Sequence, residues 1–347
     1  MDCPRTEPWG SVVHRRQIVG FGTPGAGHSA SMSTTELTDL TGVVVLRREL
    51  LDSGYTDRQI RTMVKGGELH RVRHGSYCDA MLWDSLSPAD RHRVLSRAVL
   101  ARAHPSTVLT HVSSAIEQGV PVWGHDLTKV HTTRTDGRAG RKECDRVQHA
   151  GSMPKYHVKV VNGVPVSLAT RCAVEMTTVS TVESALITVD GLLHAGLTTT
   201  SGVRQFAHRT RWWPNSLRTN VVLRLTDGRR ESAGESRTAY FFYSQGLLRP
   251  EPQVWILDER GARFARVDFA WVELGVFLEF DGRIKYELHR RPGETLEEFL
   301  LREKEREERI CQLTGWVCIR ITWAQLGAPQ LLAARIRKIL ESRRRAA

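Results

Sequence analysis

The chain has 347 residues, 40% hydrophobic and 25% charged, with a formal net charge of +12. At about 150 residues per domain the length predicts two or three domains. The apolar content excludes wholesale disorder, and no apolar run approaches the ~20 residues that cross a bilayer, so a membrane-spanning helix is excluded as well. The excess of Lys and Arg predicts a polyanionic partner, nucleic acid first.

Six cysteines (Cys3, Cys78, Cys144, Cys172, Cys311, Cys318) are scattered along the chain without a CxxC pair. A disulfide scaffold is short and Cys-dense, and a structural zinc site needs clustered ligands, so reduced thiols in a cytoplasmic protein are expected. Residues 1–34 mix Gly, Pro, Ser and Thr without apolar period and without the apolar core of a secretory signal. They are expected to form a disordered tail, with Met32 as an alternative start.

Residues 41–80 have a compact pattern. Val43 to Leu46 lead into a short helix, Arg47 to Asp52, and Ser53-Gly54-Tyr55 is a turn. Thr56 opens a second helix with Gln59 at capping-box spacing; Ile60, Met63 and Val64 form its buried stripe, and Gly66-Gly67 ends it. Its outward face carries Arg58, Arg61, Thr62 and Lys65. The stretch from Leu69 to Tyr77 alternates apolar and polar residues, turns at Gly75, and carries Arg71 and Arg73, a hairpin signal. Helix, turn, helix and basic hairpin is the order of a winged helix. The cationic helix would lie in the DNA major groove and the hairpin would meet phosphates. LLDSGYTDRQIRTMVKGGELHRVRHGSY (50–77) resembles the N-terminal domain of AbiEi-family antitoxins of type IV toxin–antitoxin systems. The resemblance implies a winged helix (35–85) that binds its own promoter, and a cognate toxin as a further partner.

Residues 86–228 form a small α/β middle region, which also resembles AbiEi-like proteins. Two helices are expected over 87–119, the second from Leu109 to Ile116, then strands near Lys129–Thr133 and Tyr156–Val161. VPVSLATRCAVEM (164–176) runs from strand into helix, and Val189–Leu193 is helical. His111 and His131 are ligand candidates, although a lone histidine in such a segment is more often a core or surface residue. Trp212 and Trp213, flanked by Arg209 and Arg211, suit base stacking but fit a packed domain edge better. Thr226 to Arg230 is a basic turn at the boundary of the last domain.

Residues 229–347 parse as a helix (Glu231–Tyr243), strands at 253–257, 264–271 and 276–280, a charged helix (Thr295–Leu313), a strand at 316–321 and an amphipathic basic helix near the C-terminus. The last two strands are nearly all apolar, which predicts central, two-sided burial. Asp268 and Glu279 each interrupt an apolar strand, where an unpaired carboxylate is expensive. On adjacent strands they converge, and convergent carboxylates bind a hard cation such as Mg²⁺ (or Mn²⁺) that activates water and offsets charge on a phosphate. Glu235 on the preceding helix offers a third carboxylate. The competing reading is a pair of structural acids bonded to Arg266, Arg283 or Arg320. Glutamates alternate with Arg302, Lys304, Arg306 and Arg309 on the charged helix, and intrahelical pairs explain most of this; the same arginines and lysine would suit a DNA groove.

Glu235, RVDFAW (266–271), VFLEFDG (276–282), EKEREERICQLTGW (303–316) and CIRITWAQL (318–326) resemble the PD-(D/E)XK restriction-endonuclease-like superfamily, its Vsr-like branch above all. The resemblance implies metal-binding roles for Asp268 and Glu279 with Glu235 in support, on a mixed central sheet. Two departures stand out: Val267 replaces the motif's proline, and Asp281 stands where the motif has lysine. Lys285, four residues on, could supply that cation and stabilise the phosphate, and Asp281 could act as an extra ligand or a base. The structural zinc of that branch has no matching cysteine cluster here.

The expected whole is an α+β multidomain protein: winged helix, small α/β middle region and restriction-endonuclease-like domain. Two functions follow, a Mg²⁺-dependent DNA endonuclease (a phosphodiester hydrolase) and an antitoxin-like transcriptional regulator whose nuclease fold is inactive.

Overall fold

The computed structural model describes residues 38–138, 141–142, 144–282 and 290–346. The expected N-terminal tail, Met32, Cys3, Arg283 and Lys285 lie outside the described residues. The described chain is mixed α/β with three sheets, and none of its helices is long and apolar enough to cross a membrane.

The first sheet is small and antiparallel, ordered β1-β3-β2. β1 (Val45–Leu46) leads into α1 (Arg47–Asp52) and α2 (Asp57–Lys65), and β2 (Leu69–Arg73) returns as β3 (Ser76–Asp79). α2 starts where the sequence places it. The Thr56 hydroxyl accepts the Gln59 N–H at 3.3 Å and Gln59 Oε1 accepts the Thr56 N–H at 2.8 Å, so two otherwise unpaired donors are satisfied reciprocally. Ile60 plugs the helix into the core. Gly75 turns the hairpin at φ 71°, a conformation open to glycine at little cost.

α3 (Ala80–Ser85) and α4 (Pro88–Leu100) lead to a six-stranded mixed sheet ordered β6-β7-β5-β4-β9-β8. Its strands are β4 (Thr107–Leu109), β5 (Val130–Arg134), β6 (Arg141–Lys142), β7 (Arg146–His149), β8 (Val158–Val161) and β9 (Val164–Ser167). Leu109, expected to open a helix, is instead in β4. Its backbone pairs with Thr132 on one side and Val166 on the other, and α5 (His111–Glu117) begins two residues later. Helices α6 (Ala169–Val179), α7 (Val182–His194), α8 (Thr200–Arg209) and α9 (Leu217–Leu225) pack with α5 around Cys172, Met176, Leu186 and Val189.

The last unit opens with α10 (Ala233–Ser244) and builds a four-stranded sheet from β10 (Glu251–Leu257), β11 (Arg263–Trp271), β12 (Val276–Asp281) and β13 (Val317–Thr322), in that order. β10, β11 and β12 are antiparallel in turn, and β13 runs parallel to β12. α11 (Leu296–Thr314) precedes β13; α12 (Trp323–Leu326) and α13 (Pro329–Ala346) follow it. β12 is central as expected, but β13 is at the edge of the described sheet. Its apolar sequence reflects the helices that cover it: Ile319 and Ile321 pack on Leu332 and Ile336 of α13, and Cys318 faces Ile310 of α11.

The middle and last units are fastened together. The turn from Thr226 to Arg230 is anchored on both sides: Arg230 is buried against Asp190 of α7, whose carboxylate also accepts from Thr226 Oγ1 (2.7 Å), Asp227 N (2.9 Å) and Ser236 Oγ of α10 (2.7 Å). Nearby, Trp123 and Trp323 stack with ring centroids 4.9 Å apart, and the Arg237 guanidinium lies against both.

Gly234, in the first turn of α10, lies against the ring of Phe280. A Cβ there would sit 2.1 Å from a ring carbon, and Phe280 is itself wedged edge-on against Trp323. Gly234→Ala is therefore expected to destabilise the last unit by about 1–3 kcal/mol or more, the cost of overpacking a filled core. A chemical-denaturation midpoint equal to wild type would refute that packing.

Candidate functional site

The acids meet at one row of the four-stranded sheet. Val254↔Val267 and Pro252↔Phe269 flank Gln253 and Asp268, Phe269↔Leu278 sets Asp268 beside Glu279, and Glu279 pairs with Arg320. Four polar residues, one per strand, thus line up in one row across the sheet. The last backbone pairs between β11 and β12 end at Phe269↔Leu278. Beyond it, Asp268 Oδ2 accepts the Phe280 N–H at 2.8 Å, so a carboxylate stands in for a ladder carbonyl.

Glu235 sits in the first turn of α10, buried. It accepts from Ser232 Oγ (2.7 Å), Glu231 N (3.1 Å) and Gln253 Nε2 (2.6 Å). Gln253 makes its bond from a left-handed backbone, φ 56°. Burial, then the nearby Asp268 charge, pushes the Glu235 carboxyl above its ordinary value. Glu279 is raised too, by burial first, with Asp268 adding to the shift and Arg306 and Arg320 opposing it. Asp268 therefore couples all three acids. A carboxyl raised on folding binds its proton more tightly in the native state, so its ionisation destabilises the fold as pH climbs from its unfolded value through its folded one. The fold maintains this acid cluster against its own electrostatics.

Cations already answer part of that charge. Arg306 of α11 reaches Glu279 Oε1 at 2.6 Å, and Arg320 approaches Oε2 at 3.6 Å while holding Glu307 at 2.5 Å. In donor chemistry Asp268 and Glu279 fit a hard cation, since both offer carboxylate oxygens on neighbouring strands. Glu235 fits less well as a direct ligand, because three donors occupy its oxygens. Among the described residues the three acids do not bring one oxygen each within 4.8 Å of one another. Asp281, half-buried at the end of β12, lines a cavity of about 180 Å³ with Glu279, Glu303, Lys304, Arg306 and Arg320. The α11 cations are paired: Lys304–Glu308 and Arg306–Glu303 lie within the helix, whereas Arg302 holds Glu294 and Arg309 holds Glu259.

At the other end of the chain, Arg58, Arg61, Thr62 and Lys65 are all exposed, and their spacing of three and four residues makes one stripe along α2. Arg71 is exposed and 3.1 Å from His74 Nδ1. Arg73 turns inward and pairs with Asp145 of the middle unit at 2.9 Å, so its charge is already partnered.

A second cluster lies in the middle unit. His111, His131 and His149 bring one ring nitrogen each within 4.8 Å of one another. The sequence pointed to His111 and His131 singly. It missed His149, because no spacing rule joins the start of a helix to two strands of a sheet formed far along the chain.

No known family model matches the chain. Two Mycobacterium tuberculosis proteins, uncharacterized protein MT2308 of strain CDC 1551 / Oshkosh and uncharacterized protein Rv2248 of strain ATCC 25618 / H37Rv, are each 31% identical to it over 163 residues. The aligned stretch is 47% of this chain and 56% of each relative, so the chain spans about half the length of the curated relatives it matches.

Proposed function

We propose that the protein binds DNA through α2 and cleaves DNA phosphodiesters in a Mg²⁺-dependent (or Mn²⁺-dependent) way at the Asp268–Glu279 row. The observation that carries this reading is the acid cluster: Asp268 and Glu279 side by side in an apolar sheet with Glu235 behind, each of the two glutamates raised by burial and by Asp268. Such an arrangement is unfavourable in an ordinary core and useful to a cation. The resemblance to Vsr-like nucleases points the same way. Mg²⁺ held by Asp268 and Glu279 would supply Lewis acidity toward a phosphate and lower the pKa of a bound water. Within the chain, Asp268 and Glu279 would hold the cation, Gln253 and Ser232 hold Glu235 behind them, and Asp281, on the rim of the cavity that Glu279 lines, would take a proton. Arg306, which pairs with Glu279 at 2.6 Å, would be free to meet the phosphate if a cation took its place. Lys285 is proposed to assist on the basis of the resemblance alone. The α2 stripe would meet the major groove as the recognition helix of a winged helix.

A specific observation favours a second reading. Arg306 already neutralises Glu279 at 2.6 Å, and an aspartate replaces the motif's lysine. These suit a nuclease fold that no longer cuts, in an antitoxin-like regulator that binds its own promoter and acts with a co-encoded toxin. Incubating supercoiled plasmid and single-stranded DNA with the protein and Mg²⁺ or Mn²⁺ separates the readings: nicking supports the enzyme, and DNA binding without nicking supports the regulator. For either, Arg61→Ala with Lys65→Ala is expected to weaken binding across DNA sequences. The slope of log affinity against log salt should become shallower by about 1 for each phosphate the variant no longer neutralises. Gel-shift titrations at several salt concentrations read this, and an unchanged affinity would remove α2 as the DNA-binding helix.

A further inference from the structure

We propose that His111, His131 and His149 form a site for a divalent transition-metal ion of the zinc class, with an open coordination position facing the adjoining cavity. The three residues come from the start of α5, from β5 and from the end of β7, and the parallel pairing of β5 with β7 brings the last two together. His149 Nε2 lies 3.0 Å from His131 Nδ1, and the His111 ring stacks on His149 with centroids 3.7 Å apart. Three imidazoles with ring nitrogens this close, and no carboxylate or thiolate among them, are a borderline-soft donor set. It suits zinc and its neighbours and does not suit Mg²⁺.

His111 is held from several sides, whereas the His131 and His149 rings, hydrogen-bonded and stacked as they stand, would turn to converge on one cation. His111 Nδ1 is 3.0 Å from the Thr110 hydroxyl, itself 3.1 Å from the Thr133 hydroxyl. A proton donated from Nδ1 to that hydroxyl leaves Nε2 with its lone pair, the usual way a neighbouring group orients a metal-binding histidine. His111 has a left-handed backbone, φ 51°, which is uncommon for a residue with a side chain. Its N–H is anchored 3.2 Å from Glu175 Oε2, a buried carboxylate also held by Ser167 and Arg171. Both lone pairs can turn to one cation when the proton between His131 and His149 passes to the other nitrogen of its own ring, which leaves each imidazole neutral with one N–H.

Three protein ligands leave a fourth position, the pattern of an exchangeable zinc site and not of a closed structural one. His111 and His149 line a cavity of about 470 Å³ together with His157, Arg171, Arg209 and Trp213. The arginines favour water or a small anion at that position.

The test uses the full chain after treatment with a chelator and dialysis. Titration with Zn²⁺ by calorimetry and with Co²⁺ by visible absorption is expected to give one ion per chain, with a d–d spectrum of low coordination number. His149→Gln and His131→Gln, each with wild-type far-UV circular dichroism, are expected to lose the Co²⁺ bands and to weaken Zn²⁺ binding by more than about tenfold. Asp268→Ala is expected to keep both, which separates this site from the acid cluster. Absence of stoichiometric binding in the wild type, or wild-type binding in both histidine variants, would overturn the proposal. If both variants fail to fold, a rise in the melting temperature of Asp268→Asn with Zn²⁺, where the acid cluster is already disabled, supports the site, and no rise overturns it.

Discussion

Asp268→Asn is expected to abolish Mg²⁺-dependent DNA cleavage while the protein stays folded and still binds DNA. The loss should reach at least about a thousandfold, because a metal ion in such a site contributes several kcal/mol of transition-state stabilisation and every 1.36 kcal/mol is tenfold in rate. Asparagine is the informative substitution. Its carbonyl can still accept the Phe280 N–H that Asp268 Oδ2 accepts at 2.8 Å, and its neutrality removes the repulsion that adds to the effect of burial in raising Glu235 and Glu279. Asp268→Ala should be equally inactive but less stable, since an unsatisfied buried N–H costs about 1–3 kcal/mol. Nicking rates under single-turnover conditions, with denaturation midpoints for both variants, check this. Wild-type nicking by Asp268→Asn would sink the metal role, and the nuclease reading with it.

Asp190→Ala is expected to destabilise the joint between the middle and last units by about 3–5 kcal/mol, the usual cost of leaving one partner of a buried ion pair alone. Arg230 and Asp190 are both almost wholly buried, and the substitution also strands the Thr226 and Ser236 hydroxyls and the Asp227 N–H. Replacing both members of the pair with apolar residues of similar volume, as Asp190→Leu with Arg230→Met, should recover much of the loss, because a well-packed apolar pair can equal a buried salt bridge. Urea denaturation of the two single variants and the double variant measures the coupling. A single-variant loss below about 1 kcal/mol would show that solvent reaches the pair.

What could be read from the sequence was what local physics dictates. Thr56 and Gln59 announce a helix start because their side chains satisfy each other's backbone, and the α2 stripe follows from helical spacing. Asp268 and Glu279 stand out because a carboxylate inside an apolar strand must have a reason. What could not be read depends on partners distant in the chain. Nothing near Arg73 points to Asp145, nothing near Glu279 points to Arg306, and nothing near Asp190 points to Arg230. Leu109 reads as helix until two strands claim its backbone, and β13 reads as central until the helices that cover an edge strand are in place. His149 is of the same kind: an ordinary strand residue until β5 lies beside it.

The stacked Trp123 and Trp323 give the joint an optical signature. Two indoles in face-to-face contact couple their excited states, and a guanidinium against both rings alters their emission. Separation of the middle unit from the last would therefore change the circular dichroism and fluorescence of the native chain before either unit unfolds, so the protein carries its own reporter of whether its two halves are joined.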